Sequence, residues 1–186
     1  MTSPSTRRQP PFTYDEYRLL PEDGRRHELL DGDLRVSPAP STRHQTVSRR
    51  LQFALMQQLE VRGLAQIFDA PIDLILAPTS VVQPDLAIVS TARASIVTAR
   101  ALEGVPDVVV EILFAGGSDR DEHLKRRLYE RHGIPEYWVV DPEIGYVTVW
   151  RLDSGCYGLR VKLDRSSTLE HPDFPGLQVP LLEIFS

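Results

Sequence analysis

The chain has little of what marks a secreted, membrane-bound or disulfide-stabilised protein. Its 186 residues include one cysteine, Cys156, which excludes an internal disulfide and a cysteine-based zinc site. No segment approaches the roughly 20 apolar residues that span a bilayer. Residues 1–11 are rich in Ser, Thr, Pro and Arg and lack the apolar stretch of a signal peptide. We therefore expect a flexible tail over residues 1–11, one domain over residues 12–186, and a cytoplasmic location.

The chain also has fewer basic than acidic residues. The chain has 26 Asp and Glu against 21 Lys and Arg, which gives a formal net charge of −5. Sequence-independent binding to nucleic acid usually depends on a strong positive field, so this balance argues against a protein that simply coats DNA or RNA. An enzyme that acts on nucleic acid is still compatible with it, because a metal site concentrates acids while basic residues gather on one face. Candidates for such a face, which could equally be solvated helix surface, are Arg43, Arg49, Arg50, Lys125, Arg126, Arg127 and Arg131.

The apolar pattern predicts two long helices among several strands. Apolar residues recur every three or four positions between Ser41 and Gly63, which indicates an amphipathic helix. Ser118 as N-cap, acidic residues in the following turn and Gly133 after the last turn predict a helix over 118–132. Strands are predicted at 65–69, 72–76, 85–90, 108–113, 136–141, 146–150 and 159–163, with a hairpin around Asp31-Gly32-Asp33. We expect an α/β sandwich with a mixed central β-sheet flanked by helices.

Two of the predicted strands carry a carboxylate among β-branched residues. Asp85 begins one of them, and Glu111 lies between Val110 and Ile112 in the other. A buried carboxylate is costly unless it is paired or bound to a metal. Asp107 shares a strand with Glu111 at about 13 Å, too far for one ion with ligand distances of about 2.0 to 2.1 Å. Asp85 could lie on an adjacent strand about 4.8 Å away, so the sequence predicts a metal site built across two strands.

A lysine on the following helix completes this pattern. Lys125 could turn back toward the two carboxylates, and two acids with one lysine suggest metal-assisted hydrolysis. Each residue also has a purely structural interpretation. Asp85 could cap the start of a strand, and Lys125 could be an exposed helix residue paired with Asp121 at i,i+4. Asp73 is better explained by a structural hydrogen bond than by a place in the site.

Short motifs in a fixed order resemble the Uma-type restriction endonuclease family of the PD-(D/E)XK nuclease superfamily, from about Phe12 to Phe185. The matching stretches are Glu28-Leu29-Leu30-Asp31-Gly32, Ser37-Pro38-Ala39-Pro40 with His44, Val82-Gln83-Pro84-Asp85, Val109-Val110-Glu111-Ile112-Leu113, Lys125 with Tyr129, and Glu136-Tyr137-Trp138 with Val140-Asp141-Pro142. The resemblance implies a restriction-endonuclease-like fold and hydrolysis of phosphodiester bonds in nucleic acid, most simply DNA. It also implies dependence on Mg²⁺, with Mn²⁺ as a substitute.

The resemblance also assigns roles to individual residues. Asp85, Glu111 and the Ile112 carbonyl would bind the ion, and Lys125 would orient or deprotonate the attacking water. Glu28 resembles an additional acid of the superfamily site that holds the metal through water, although it could be a polar residue at a strand edge. The predicted substrate contacts are Arg43, His44 and Tyr129. For His44 a phosphate contact in the first helical turn competes with a capping or surface role.

The chain departs from the superfamily pattern in two places. The superfamily lysine normally lies two residues after the glutamate, where this chain has Leu113; Lys125 would be the displaced lysine. Tyr129, four residues later, is similar to the tyrosine of the helical Gln-x-x-x-Tyr element of RecB-like nucleases. The second departure is the sequence Phe114-Ala115-Gly116-Gly117, where relatives have a Ser-Pro-Ser type of turn. This loop determines how far Lys125 can reach.

The alternative function is a catalytically weak or inactive nuclease-fold module that acts as a dimeric DNA-binding or regulatory protein. The acidic net charge and the altered loop favour it, whereas the intact set of acids favours the enzyme. In either case we expect a homodimer, because closed two-fold dimers are the commonest oligomers and a small nuclease pairs to cut both strands. Tyr137, Trp138 and Trp150 are expected in the core or at an interface, and the predicted contact is an exposed, aromatic-rich hairpin from Trp138 to Trp150.

Overall fold

A computed structural model describes residues 11–21, 23–114 and 119–186. The predicted tail, apart from Pro11, lies outside these residues, as do the predicted N-cap Ser118 and most of the loop that follows Phe114. The helices are α1 (Tyr14–Tyr17), α2 (Thr42–Leu55), α3 (Asp119–Arg131) and α4 (Leu181–Phe185), with a π-helical turn at Met56–Glu60 and a 3-10 helix at Thr91–Ile96. No helix within the described ranges is long and apolar enough to cross a lipid bilayer.

The strands form two main sheets and a short ribbon. In chain order they are β1 (Arg26–Leu30), β2 (Asp33–Ser37), β3 (Ala65–Asp69), β4 (Leu74–Ala77), β5 (Ser80–Val82), β6 (Leu86–Ser90), β7 (Leu102–Glu103), β8 (Val108–Ile112), β9 (Glu136–Asp141), β10 (Tyr146–Asp153), β11 (Cys156–Asp164), β12 (Thr168–Leu169) and β13 (Val179–Pro180). The larger sheet has the order β11-β10-β9-β8-β6-β3, the smaller one β2-β1-β5-β4-β7, and β12 pairs with β13.

The larger sheet is the predicted mixed central sheet. Strands β8 and β9 run parallel, whereas β6 pairs with β8 in the antiparallel sense. A parallel pair needs a crossover connection, and α3 supplies it between β8 and β9. All five residues of β8 are buried, as expected for a central strand covered on both faces. The predicted neighbourhood of the Asp85 and Glu111 strands is therefore confirmed.

The two faces of β8 pack against different helices. Val108, Val110 and Ile112 join the core beneath α2, which contributes Val47, Leu51 and Leu55. Val109 faces the opposite way, into the core that contains Leu128 and Tyr129 of α3. Side chains alternate along a strand, so Glu111 is on the same face as Val109. The alternation thus directs Glu111 toward α3.

The smaller sheet contains two strands that the sequence did not predict. Strand β5 has three residues and β7 has two, too short for an alternating pattern to stand out. Strand β5 lies between β1 and β4 and ends at Val82. The segment that follows, 83–85, carries the chain from the smaller sheet into the larger one.

The hairpin of β9 and β10 is not the exposed aromatic surface that was predicted as a dimer contact. Tyr137 and Trp138 are completely buried, one on each side of the sheet. Trp150 is half-buried, and the guanidinium of Arg126 lies over its ring at 4.3 Å from the centroid. Tyr137 and Trp138 belong to the core, because the parallel pairing of β9 with β8 places them at the centre of the sheet, and Trp150 on β10 packs against its edge.

Two hairpin turns of the same type allow a controlled test of how the N-terminal segment packs. The first has Asp31 and Gly32 at φ 53° and 85°, and the second has Ser154 and Gly155 at φ 50° and 85°. A Cβ on Gly32 would lie 2.3 Å from Pro11 Cβ, whereas a Cβ on Gly155 would meet nothing within 4 Å.

We expect Gly155→Ala to lower the free energy of unfolding by about 1 kcal/mol, because alanine is strained at positive φ. Gly32→Ala should cost about 1 to 3 kcal/mol more, because Pro11 must move away. Urea unfolding of the two variants measures the difference, and equal losses would show that Pro11 is not packed on the turn.

Candidate active site

Asp85 lies immediately before β6, where the chain enters the larger sheet. Its Oδ2 accepts a hydrogen bond from the Ile112 backbone N–H at 2.7 Å and lies 3.2 Å from His44 Nε2. Its Oδ1 accepts from Arg26 Nη1 at 2.9 Å. Burial would raise the pKa of Asp85, but the hydrogen bond from His44 and the charge of Arg26 outweigh it and hold the pKa below its usual value. Asp85 is therefore ionised and paired.

Glu111 is the second buried carboxylate, one residue away from the Ile112 N–H that binds Asp85. Lys125 Nζ donates to Glu111 Oε1 at 2.9 Å, and the Tyr129 hydroxyl donates to the same oxygen at 2.6 Å. Lys125 and Tyr129 are four residues apart on α3 and so project from one face of the helix. Burial raises the pKa of Glu111 to about 7; Lys125 opposes the rise, and the charge of Asp85 adds to it.

Lys125 connects the two sheets through a second carboxylate. Its Nζ donates to Oε1 of Glu28, on β1, at 3.0 Å. The Glu28 carboxylate also accepts hydrogen bonds from the Gln83 backbone N–H at 2.9 Å and from the Ser37 hydroxyl at 3.0 Å. Burial lowers the pKa of Lys125, but the charges of Glu111 and Glu28 outweigh it, and the pKa lies above its usual value. Lys125 thus stays protonated, and its Nζ pairs with Glu111 and Glu28, while Asp121 pairs with Arg35 at 3.2 Å.

These groups line a cleft of about 320 Å³. The acidic residues along it are Asp85, Glu111, Asp121, Glu122, Asp141 and Glu143, and the basic ones are Arg26, His44 and Lys125. These acids come from separate parts of the chain. Glu28 does not line the cleft itself but pairs with Lys125, which does. The cleft can therefore accept a cation, or an anion accompanied by one.

The three predicted substrate contacts lie in different surroundings. The His44 ring is buried against Asp85, while its backbone N–H is capped by the Ser41 hydroxyl at 3.1 Å. Tyr129 is fully buried and positions Glu111. Arg43 donates to the Pro142 carbonyl at 3.1 Å and to the Phe185 carbonyl, near the C-terminus, at 2.6 Å. The structure brings His44 and Tyr129 to the acids and leaves Arg43 apart from them.

Two further acids, Asp73 and Asp107, make structural hydrogen bonds rather than joining the candidate site. Asp73 accepts hydrogen bonds from the Tyr17 hydroxyl and from Gln83 Nε2, both at 2.9 Å, as the hydrogen-bond interpretation predicted. Asp107 accepts from the Ser90 backbone N–H at 2.6 Å and from Arg93 Nε at 3.1 Å. Asp107 does not line the cleft, in agreement with its expected distance of about 13 Å from Glu111 along the strand.

Arg26 is the site residue that sequence reasoning missed. It lies two residues before Glu28 on β1, so both side chains belong to one face of the strand. This alternation was the available signal. The pattern does not single out Arg26, because a basic residue at a strand edge needs no special explanation, whereas an acid among β-branched residues does.

The donor chemistry of this site fits a hard divalent cation. Within the described ranges, no group of three or more His, Cys, Asp or Glu side chains lies close enough together to hold a metal ion. Mg²⁺, however, is usually bound by one or two carboxylates, with water and substrate phosphate as the other ligands. Asp85, immediately before β6, and Glu111, on the adjacent strand β8, provide two carboxylates, and both line the cleft.

Fold and site together define a nuclease-like α/β protein of the restriction-endonuclease type. The chain belongs to the Uma2 family, described as "Putative restriction endonuclease", whose model matches residues 14–182. A crystal structure of "a putative nuclease belonging to DUF820 from Anabaena variabilis ATCC 29413" is similar to it, with a TM-score of 0.77 and 18% sequence identity over 94% of this chain and 98% of that one. At that identity the likeness shows a shared fold. No curated protein matches the chain.

Proposed function

We propose that this protein, through a domain over residues 12–186, is a divalent-metal-dependent nuclease that hydrolyses phosphodiester bonds of DNA. The observation that carries the proposal is the convergence of Glu28, Asp85 and Glu111 on two cations beside one cleft, the half-buried Arg26 and the buried Lys125. Stability alone does not account for such buried ion pairs, since replacing them by apolar residues is often neutral or stabilising, and a functional role does. Membership of a nuclease family supplies the reaction class.

In this proposal Asp85 and Glu111 hold Mg²⁺ or Mn²⁺, with the Ile112 carbonyl and Glu28 as further ligands, Glu28 through water. When bound, the ion would polarise a phosphoryl oxygen and lower the pKa of the attacking water. Water adds to phosphorus and gives up a proton to solvent as the bond to one ester oxygen breaks, and the leaving oxygen takes up a proton from solvent.

Lys125 and Tyr129 act on the acids and on the developing charge. A lysine between two carboxylates keeps its proton, so Lys125 orients water and offsets charge at phosphorus rather than serving as the base. The Tyr129 hydroxyl fixes the orientation of the Glu111 carboxylate from below. His44 restrains Asp85 in the same way, which makes both of them positioning residues.

The decisive experiment incubates the protein with double-stranded DNA, single-stranded DNA and RNA in Mg²⁺, in Mn²⁺ and in EDTA, with calorimetry of metal binding in parallel. We expect cleavage of DNA with either ion and none in EDTA. Metal binding without cleavage of any substrate would favour the alternative, a nuclease-fold module that binds DNA without cutting it. No metal binding would contradict the proposal.

We also propose that the protein acts as a homodimer, since two copies of a single-site nuclease are needed to cut both strands of a duplex. Light scattering at micromolar concentration tests this. A species of 21.0 kDa alone would contradict it.

A further inference from the structure

Arg26 forms an ion pair with Asp85, one of the carboxylates that the proposed function assigns to the metal. Its Nη1 lies 2.9 Å from Asp85 Oδ1, and its side chain is 22% exposed at the surface of the cleft. Lys125, by contrast, is paired with Glu111 and Glu28 in the interior. Each of the three carboxylates thus has a cationic partner in this structure, and only the partner of Asp85 reaches solvent to this extent.

The charges show why Arg26 and a metal ion compete. With all three carboxylates ionised, and leaving the His44 ring aside, the three carboxylates and two cations carry one net negative charge. A divalent ion would change this to one net positive charge, and a phosphodiester would restore neutrality. Since Arg26 and the ion are both cations directed at Asp85, each raises the free energy of binding the other there.

A second cleft beside Asp85 can accommodate the Arg26 guanidinium when it leaves the carboxylate. Arg26, together with His44 and Asp85, lines this cleft, which runs along the polar side of α2. Gln45, Ser48, Arg49 and Gln52 line this side of the helix. The Nε of Arg26 is buried and has no hydrogen-bond partner among the described residues, so the guanidinium keeps unused donors. Its planar fork matches the geometry of a phosphate.

We propose that Arg26 occupies Asp85 in the metal-free protein in place of the ion, and that on metal binding its guanidinium moves to the phosphate backbone of the nucleic acid. The inference rests on the proposed nuclease function and deepens it. Arg26 keeps the Asp85 carboxylate paired before the ion arrives and then contacts the substrate. The metal and the nucleic acid therefore bind cooperatively, because the ion releases the group that holds the phosphate.

The test measures metal and DNA binding separately. Calorimetry with Mn²⁺ should show that Arg26→Gln binds the ion about 10-fold more tightly than the parent, because the competing cation is gone. Fluorescence anisotropy of a labelled duplex in Ca²⁺ should show about 10-fold weaker DNA binding by the same variant. Arg25→Gln is the matched control: Arg25 is the preceding residue, its side chain is 69% exposed, and it should change neither value.

Arg26→Lys separates charge from shape and covers the case in which Arg26→Gln does not fold. It keeps the positive charge beside Asp85 but loses the planar fork, so it should bind Mn²⁺ within about 3-fold of the parent and DNA several-fold more weakly. If the parent binds Mn²⁺ and Arg26→Gln binds it no more tightly, or if Arg26→Lys binds DNA like the parent, the inference is wrong and the nuclease proposal stands. If neither the parent nor Arg26→Gln binds Mn²⁺, both are wrong.

Discussion

Glu111→Gln is expected to reduce DNA cleavage by more than about 10²-fold, since mutation of even a metal's outer-shell partners costs 10- to 100-fold. The amide is neutral and a poor ligand for a hard cation, so calorimetry should also show weaker Mg²⁺ binding. The protein should remain folded. Lys125 keeps Glu28 as its partner, and the Tyr129 hydroxyl can still donate to the amide oxygen.

The stability of this variant gives a second measurement that does not depend on activity. Burial raises the pKa of Glu111 from 4.5 to about 7 in the folded protein. The stability that the protonated carboxyl provides is complete below pH 4.5 and is lost as the pH rises through about 7. Glutamine does not titrate, so in EDTA the melting temperature of Glu111→Gln should rise relative to that of the parent between pH 5 and pH 8.

Asp107→Asn is the matched control for both measurements. Asp107 precedes the same strand but binds Ser90 and Arg93 away from the cleft, so its replacement should leave cleavage unchanged. Full cleavage by Glu111→Gln would show that Glu111 is not a metal ligand. A difference in melting temperature that does not change with pH would show that Glu111 stays ionised throughout.

Lys125→Ala is expected to lose both cleavage activity and stability while keeping its affinity for the metal, unlike Glu111→Gln. It leaves Glu28 and Glu111 buried without their shared cation, so the free energy of unfolding in EDTA should fall by about 3 to 5 kcal/mol. Cleavage should fall by roughly 10²-fold or more, because a positioned positive charge is lost. Affinity for Mg²⁺ should stay the same or rise, since one competing cation has been removed. Thermal melting with and without Mg²⁺, calorimetry and a cleavage assay measure the three effects.

Arg127→Ala provides the comparison on the same helix. Arg127 is exposed, so its loss should affect neither stability nor cleavage measurably. If Lys125→Ala cleaves DNA as fast as the parent, Lys125 is not the displaced lysine of the superfamily. If Mg²⁺ stabilises Lys125→Ala less than it stabilises the parent, Lys125 helps to hold the ion rather than competing with it.

The sequence was sufficient for the central sheet and for the pair Asp85 and Glu111. Both follow from local patterns: alternation fixes which face a strand residue occupies, and a carboxylate in a buried run must have a partner. Lys125 and Tyr129 are also readable locally, because a spacing of four places them on one face of a helix. Their shared contact with Glu111 agrees with that spacing.

Tertiary structure alone decided how the acids are neutralised. Arg26 meets Asp85 across 59 positions and Lys125 meets Glu28 across 97, and no local pattern encodes such distances. The buried ring of His44 and the burial of Tyr137 and Trp138 were decided in the same way, by which elements pack together. A sequence specifies which charges must find partners, whereas the choice among several cations depends on where the two sheets and α3 meet.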